Sequence, residues 1–194
     1  AISPGVIEAR NEFHPARLTF ANRRREPLSG RIDLIAPARW RIEPSEFDFT
    51  LTSGQTFDHQ LRVSFPYNET VGEKPCLVRV AVEADRRYEF LAPIQLSLEL
   101  KDIDVLTFPH VADGKLLVRQ TITNRTTQPI SFRIELLIGE RAPQRRSTSE
   151  LQPGQTAIRD YIFEDAAELM GQDLYVTMRE IQGRRVYNTI HPIR

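Results

Sequence analysis

The sequence contains two similar stretches about 100 residues apart. Asn22–Ile35 reads NRRREPLSGRIDLI and Asn124–Leu137 reads NRTTQPISFRIELL, so that asparagine, proline and arginine recur at the same offset. The segment LTSGQT at Leu51–Thr56 returns as LQPGQT at Leu151–Thr156. The offset shrinks slightly along the chain, as short loop deletions in a second copy would produce. Because this period is far longer than that of solenoid repeats, it predicts two copies of one unit of about 100 residues.

Alternating apolar and polar residues dominate both copies. Ile32 and Leu34 alternate in the first copy, and residues 130–138 alternate in the matching part of the second. A period of two is typical of half-buried β-strands, and turn signals recur at the spacing of an antiparallel sandwich. Only residues 164–170 have a helical pattern, with Asp165 as the expected N-cap. We therefore predict an all-β fold of two tandem Ig-like antiparallel β-sandwiches.

The boundary between the copies is predicted at residues 101–105, which contain no Gly-, Ser- or Pro-rich linker. We expect domains at residues 1–101 and 102–194, joined by a short and fairly stiff connection. The first residue is Ala1 rather than Met. We interpret this as a processed chain or as part of a larger parent protein.

The charge balance argues against nucleic acid and membrane partners. Lys and Arg total 26 and Asp and Glu total 26, so the formal net charge is zero. The chain as a whole therefore has no field that attracts nucleic acid or an anionic membrane. No apolar stretch approaches the ~20 residues of a membrane span. We expect no nucleic acid partner and no membrane insertion of this segment.

The sequence contains no motif for catalysis or for a cofactor. The four histidines are scattered without the spacing of metal ligands, and neither a Gly-rich phosphate loop nor a G-x-S-x-G sequence occurs. Cys76 is the only cysteine, which excludes a disulfide within the chain. It begins an alternating run, which predicts a core position. We predict that the chain is not an enzyme and has no metal and no cofactor.

The first copy contains an ordered set of motifs. They are L-x-F-x-N at Leu18–Asn22, AP-x-x-W-x-I-x-P at Ala36–Pro44, L-x-x-GQ at Leu51–Gln55 and L-x-V-x-F-P at Leu61–Pro66. In this order they resemble the NPCBM-associated domain, an Ig-like β-sandwich appended to secreted bacterial glycosidases and other surface proteins. The resemblance covers about residues 16–100.

The resemblance implies a non-catalytic accessory or spacer module of a larger exported bacterial protein, located in the periplasm, on the cell surface or outside the cell. Such a module mediates protein interaction or positions the remaining domains of its parent chain. The alternative is a carbohydrate-binding module appended to a secreted glycosidase, with polysaccharide as the partner. The resemblance also implies that Trp40 closes the core, whereas a carbohydrate module would use Trp40 or Tyr67 to stack a sugar.

Arginine clusters are the candidate docking surface. Arg23, Arg24 and Arg25 lie between two predicted strands, and Arg86 and Arg87 lie in the hairpin before the last strand of the first copy. In an Ig-type sandwich these two loops emerge at the same end. Five guanidinium groups at one tip predict contact with an anion or an acidic surface. A solvated loop that aids solubility is the alternative.

The second copy repeats this arrangement with fewer arginines. Arg125, Arg184 and Arg185 occupy the matching loops, and Asp102 and Asp104 lie at the predicted boundary. Opposite charges at the boundary would help to fix the angle between domains, each exposed pair by ~0.2–1 kcal/mol. We therefore predict an interdomain role for these five residues.

Overall fold

The computed structural model describes residues 1–83 and 86–194, and these residues fall into two compact units. Unit 1 comprises Ala1–Ile7, Asn11–Tyr67 and Gly72–Leu98. Unit 2 comprises Glu99–Arg194 together with two short segments from the first half of the sequence, Glu8–Arg10 and Asn68–Val71. We describe each unit by itself.

Unit 1 contains nine strands that form two antiparallel sheets. The strands are β1 (Ile2–Ser3), β2 (Val6–Glu8), β3 (His14–Ala21), β4 (Leu28–Ile35), β5 (Arg41–Glu43), β6 (Glu46–Leu51), β7 (Thr56–Ser64), β8 (Gly72–Glu83) and β9 (Arg87–Glu99). One sheet has the order β1-β3-β7-β5 and the other has the order β2-β9-β8-β4-β6.

Unit 2 contains seven strands and one helical turn. They are β10 (Ile103–Ala112), β11 (Lys115–Asn124), β12 (Ile130–Ile138), β13 (Gln144–Leu151), β14 (Thr156–Phe163), α1 (Ala166–Leu169), β15 (Asp173–Glu180) and β16 (Val186–Pro192). A three-stranded sheet has the order β10-β11-β14, and a four-stranded sheet has the order β13-β12-β15-β16.

The two units share one strand order. β1-β3-β7 in unit 1 corresponds to β10-β11-β14 in unit 2, and β6-β4-β8-β9 corresponds to β13-β12-β15-β16. This distribution of antiparallel strands over two sheets is that of an Ig-like Greek-key sandwich. The all-β fold predicted from the sequence is confirmed, and the sequence repeat is also a repeat of topology.

The core of unit 1 contains both residues for which the sequence predicts burial. Trp40 is 6% exposed, with its ring 5.5 Å from that of Phe65, and Cys76 is fully buried. Phe20 of one sheet packs against Phe49 of the other, with ring centroids 5.0 Å apart. The expected core positions of Trp40 and Cys76 are confirmed.

The core of unit 2 lies between its two sheets. The inward-facing residues of β12 and β15 are fully buried and meet those of β11 and β14. The fully buried members of this cluster include Phe132, Ile134, Leu136, Val176 and Met178. Alternate residues on these strands therefore face away from the core, and they form the surfaces described below.

The short helix forms where the sequence predicts it, and its N-cap is the predicted residue, Asp165. Asp165 occupies the cap position in a left-handed conformation (φ 57°), and its side chain makes no capping hydrogen bond. A capping side chain normally requires an extended backbone at this position. The Asp165 carboxylate lies 4.0 Å from the Arg141 guanidinium instead. No helix within the described residues is long and apolar enough to cross a membrane.

Candidate functional site

A buried asparagine connects the two sheets of unit 1. Asn22 directly follows β3 and is 1% exposed. Its Nδ2 donates to the carbonyl oxygens of Glu26 at 2.9 Å and of Leu51, the last residue of β6, at 3.1 Å. Its Oδ1 accepts a hydrogen bond from the Arg24 amide at 2.9 Å. The side chain thus fixes both the β3–β4 loop and the end of a strand in the opposite sheet.

The second copy repeats this network around Asn124, which is fully buried at the end of β11. Its Nδ2 donates to the carbonyl oxygens of Gln128 and Leu151, both at 2.8 Å. Its Oδ1 accepts from the Thr126 amide at 2.9 Å and from the Thr126 hydroxyl at 2.7 Å. We call each of these networks an asparagine latch.

The Gly-Gln pair of each copy completes its latch. Gly54 (φ 75°) donates its amide to the Asn22 carbonyl at 2.9 Å, and Gly154 (φ 78°) donates to Asn124 at 2.7 Å. The Oε1 atom of Gln55 accepts a hydrogen bond from the Thr52 amide at 3.0 Å. A residue other than glycine is strained at such a positive φ. The repeated asparagine and Gly-Gln motifs therefore have a structural role, which is to fix the crossing of the chain from one sheet to the other.

The five arginines of the predicted docking surface lie at one end of unit 1. Arg23, Arg24 and Arg25 are exposed in the β3–β4 loop, and Arg86 and Arg87 are exposed at the start of β9. Cross-strand pairing of Ser29 with Glu83, and of Glu83 with Arg87, brings the two loops to the same end of the sheet. The Arg86 guanidinium lies 5.0 Å from the centre of the Tyr88 ring.

Arg125 and Asp104 form an exposed ion pair within unit 2. The Arg125 Nε atom donates to the Asp104 carboxylate, and both side chains are about half exposed. The Arg125 amide also donates to the Asp102 carbonyl at 2.8 Å, and Asp102 has a left-handed backbone (φ 56°). Asp102 thus contacts Arg125 through its main-chain carbonyl.

Arg185 occupies a more buried position, between two carboxylates that we did not predict. It lies 2.7 Å from Glu180 and 3.0 Å from Glu8, which also belongs to unit 2. The side chains of Arg185 and Glu180 are 16% and 13% exposed. Burial alone would lower the pKa of Arg185, but the two carboxylates outweigh burial and raise it.

A polar groove of about 450 Å³ brings part of the predicted interdomain set together. Asp102, Arg125 and Arg185 line it, together with the β11–β12 loop and Glu180. Arg184 is exposed in the neighbouring turn and is not among these lining residues. Arg125 and Arg185 are paired with carboxylates of unit 2, and an interdomain role for the five residues stays a prediction.

The most unusual surface is the outer face of the β10-β11-β14 sheet, which we call the apolar face. Four large apolar side chains are more than half exposed there: Leu106 (56%), Phe108 (64%), Ile158 (54%) and Ile162 (51%). Soluble proteins rarely place several such side chains together without a function.

The strand register arranges these side chains in three parallel rows. The rows are Leu106-Thr121-Ile158, Phe108-Arg119-Asp160 and His110-Leu117-Ile162. Apolar groups therefore surround a central polar pair, and part of the face forms a depression of about 620 Å³.

The central polar pair is satisfied within the sheet. Arg119 binds the Asp160 carboxylate with two donors, at 2.8 and 3.3 Å. This hydrogen bonding lowers the pKa of Asp160 and raises that of Arg119. Both groups therefore stay charged near neutral pH, and the net charge of the pair is zero.

Residues considered for catalysis or metal binding do not converge. Among the described residues, no group of three or more His, Cys, Asp or Glu side chains is arranged to hold a metal ion. Burial raises the pKa of the Cys76 thiol, which disfavours the reactive thiolate. Of the two aromatic candidates for sugar stacking, Trp40 is buried and Tyr67 is 50% exposed.

The apolar face was missed in the sequence because its strands carry apolar residues on both sides. In β14, Ile158 and Ile162 alternate with Tyr161 and Phe163, and the sequence alone does not say which set faces the core. The sequence signal that could have revealed the apolar face was the presence of apolar residues on both sides of the same strand. It is typical of a strand covered on both sides.

No protein-family model matches this chain, and no curated protein sequence matches it. Among solved structures it is similar to red sea bream transglutaminase, with 11% identity and a TM-score of 0.39; the match covers 96% of this chain and 30% of that one. It is also similar to the YadV chaperone, with 10% identity and a TM-score of 0.35; the match covers 98% of each chain. The E. coli chaperone DraB is similar with 13% identity and a TM-score of 0.34; the match covers 99% of this chain and 97% of that one. This chain spans less than a third of the length of the transglutaminase. Structural similarities at these TM-scores do not assign a fold or a function to this chain.

Proposed function

We propose that this chain is a non-catalytic accessory module that binds a protein partner through the apolar face of unit 2. The observation that carries the proposal is the exposure of Leu106, Phe108, Ile158 and Ile162 on one sheet. As part of the same proposal, we extend to the chain the exported bacterial setting that its resemblance to NPCBM-associated domains implies.

The size and composition of the apolar face favour a protein partner. Four half-exposed large side chains present on the order of 400 Å² of apolar surface, which is the size of the largest and often functional patch on a monomer. Three of the four are aliphatic, whereas a sugar platform depends on aromatic rings. With a polar rim, such a patch can form the centre of an interface of about 800 Å² per partner.

The charges on the face favour an uncharged partner surface. Arg119 and Asp160 neutralise each other at the centre, and Lys115 pairs with Glu164 at 3.0 Å beyond one end of the rows. A partner therefore needs no opposite charge to dock there. A charged partner surface would instead lose solvation without gaining a free counterion.

One arrangement of a second copy on this face is unfavourable. A two-fold axis along the row Phe108-Arg119-Asp160 would bring Arg119 against the Arg119 of the other copy, which is a like-charge contact. Edge-to-edge pairing through β10 is also disfavoured, because Pro109 lacks an amide donor in this edge strand. These points support a partner of a different kind.

The proposal is tested by site-specific photo-crosslinking of the full chain in extracts of its source cells. A photoreactive phenylalanine analogue replaces Phe108 in one variant and Tyr175 in a control. Tyr175 is a suitable control because it is 42% exposed on the other sheet of unit 2. We expect one defined protein adduct from position 108 and none of that size from position 175.

Two results would contradict the proposal. The first is the same adduct pattern from both positions, because it would mean non-specific contact. The second is an adduct at position 108 that consists only of a second copy of this chain.

A further inference from the structure

We propose that unit 1 has a separate binding surface, formed by Arg23, Arg24, Arg25, Arg86 and Arg87, which binds a short acidic segment of a partner protein. We call these five residues the arginine tip. This surface is distinct from the apolar face of unit 2, and it carries a different chemistry.

The asparagine latch fixes the backbone from which three of these arginines project. Asn22 Oδ1 accepts the Arg24 amide at 2.9 Å, and Asn22 Nδ2 donates to the Glu26 carbonyl at 2.9 Å. Since Asn22 is almost fully buried, the loop is anchored at both ends of the Arg23–Arg25 segment. A partner therefore pays little entropy to order this backbone.

The second copy shows that the latch does not require the arginines. Its loop has the same asparagine network but continues Arg125-Thr126-Thr127. Arg125 is neutralised by Asp104, whereas Arg23, Arg24 and Arg25 form no ion pair with a residue that the structure describes. Three adjacent like charges repel one another, so this cluster has a cost that folding does not explain.

The second loop adds to the same positive surface. Ser29 pairs with Glu83 and Glu83 pairs with Arg87, which places the starts of β4 and β9 at the same end of the sheet, on either side of β8. Arg86 lies over the Tyr88 ring at 5.0 Å, where the cation–π contact restrains its side chain without neutralising it. Both loops thus direct guanidinium groups to one end of unit 1.

Carboxylate groups on a short segment fit this surface best. Guanidinium groups bind carboxylates with two parallel hydrogen bonds, which a fixed cluster can offer to several acidic residues at once. The sheet face next to the tip carries more carboxylates than guanidinium groups: Asp33, Asp48, Glu83 and Glu89 lie there with Arg31 and Arg79. A long polyanion such as DNA or a sulfated polysaccharide would extend over these acids, whereas a short acidic peptide would not.

The test uses the full chain and a fluorescent hexaglutamate peptide, with binding measured by anisotropy at about 30 and about 300 mM salt. The variant Arg24→Thr/Arg25→Thr gives the loop the residues of the second copy and keeps the latch. The control Arg41→Thr/Arg133→Thr removes the same charge from exposed strand positions elsewhere. Thermal unfolding verifies that both variants fold.

We expect the peptide to bind the native chain at low salt and to bind less tightly at high salt. Arg24→Thr/Arg25→Thr should raise Kd about three- to thirtyfold, as the loss of two exposed charge pairs implies. The control should change Kd less than about twofold, because its charges lie outside the contact.

Three results would overturn the proposal. One is no peptide binding to the native chain at low salt, and another is equal weakening by the variant and the control. The third is stronger binding of duplex DNA or heparin than of the peptide with the same dependence on Arg24 and Arg25, because it would assign the tip to a polyanion instead.

Discussion

Asn124 Nδ2 donates a hydrogen bond to the carbonyl oxygen of Leu151 at 2.8 Å, although the two residues belong to strands of opposite sheets. Asn22 makes the same bond to Leu51 in unit 1. In both units the bond lies where the chain crosses from one sheet to the other. A buried side-chain hydrogen bond at this point selects one position for the crossing, since its donor would otherwise be left unsatisfied.

We predict that Asn124→Ala lowers the free energy of unfolding by ~2–4 kcal/mol, because it removes the Asn124 hydrogen bonds to the Leu151 carbonyl and the Thr126 amide. Asn22→Ala should have a similar effect on unit 1. The control Asn11→Ala removes an exposed asparagine outside the strands and should cost less than ~0.5 kcal/mol. Chemical denaturation measures all three, and equal stability of all variants would exclude the latch as a determinant of stability.

Trp40→Ala should destabilise unit 1 by ~3–5 kcal/mol, as expected for a large aromatic side chain removed from a core. Calorimetry of the full chain provides the measurement. An unchanged melting temperature combined with lost binding of a soluble glycan would instead make Trp40 a ligand platform.

Arg185 and Arg125, which sequence reasoning grouped together, should differ in their effect on stability. Arg185→Met leaves the largely buried Glu180 carboxylate without its cation and should cost ~2–4 kcal/mol, whereas Glu8 keeps its ion pair with Arg10 at 2.9 Å. Arg125→Met breaks an exposed pair with Asp104 and should cost less than ~1 kcal/mol. Urea unfolding of both variants compares them directly, and equal costs would contradict the difference in burial.

His191 should make the stability of unit 2 sensitive to mild acid. Burial lowers the pKa of His191, and its Nε2 atom is buried with no hydrogen-bond partner in the part of the chain that the structure describes. The unfolded chain therefore takes up this proton at a higher pH than the folded chain. The contribution of neutral His191 to the stability of the folded chain is complete above its unfolded pKa of about 6.5. This contribution is lost as the pH falls toward the lower pKa of His191 in the folded chain.

The measurement for His191 is the melting temperature at pH values of about 7.5 and about 5.5, on either side of the unfolded pKa. We expect a smaller decrease in His191→Gln than in the native chain. The same decrease in both would show that other groups dominate the acid sensitivity.

The repeat and the core were accessible from the sequence because they depend on local patterns. The inward alternation of residues 130–138 and the paired asparagine and Gly-Gln motifs predict strands and two equivalent units directly. Strand β13 was not predicted, because only Thr148 and Leu151 of its eight residues are buried and the pattern of an edge strand is therefore polar.

The functional surfaces depend on relations that the sequence does not display. The apolar face requires the register among β10, β11 and β14, which sets Phe108 beside Arg119 and Asp160. The carboxylates around Arg185 include Glu8, which is 177 residues away in the chain. Neither relation follows from spacing, because pairing over such distances is decided by the complete fold.

The central claim, that the apolar face binds a protein, is tested most directly with the partner captured at position 108. Its affinity is measured for the native chain and for Phe108→Lys/Ile162→Lys. The account predicts an affinity loss of at least about thirtyfold, because charges replace two of the four large apolar side chains of the interface. It also predicts a stability change of no more than ~1 kcal/mol, because both side chains are exposed in the chain alone. An unchanged affinity, or a loss that merely follows unfolding of the variant, would contradict it.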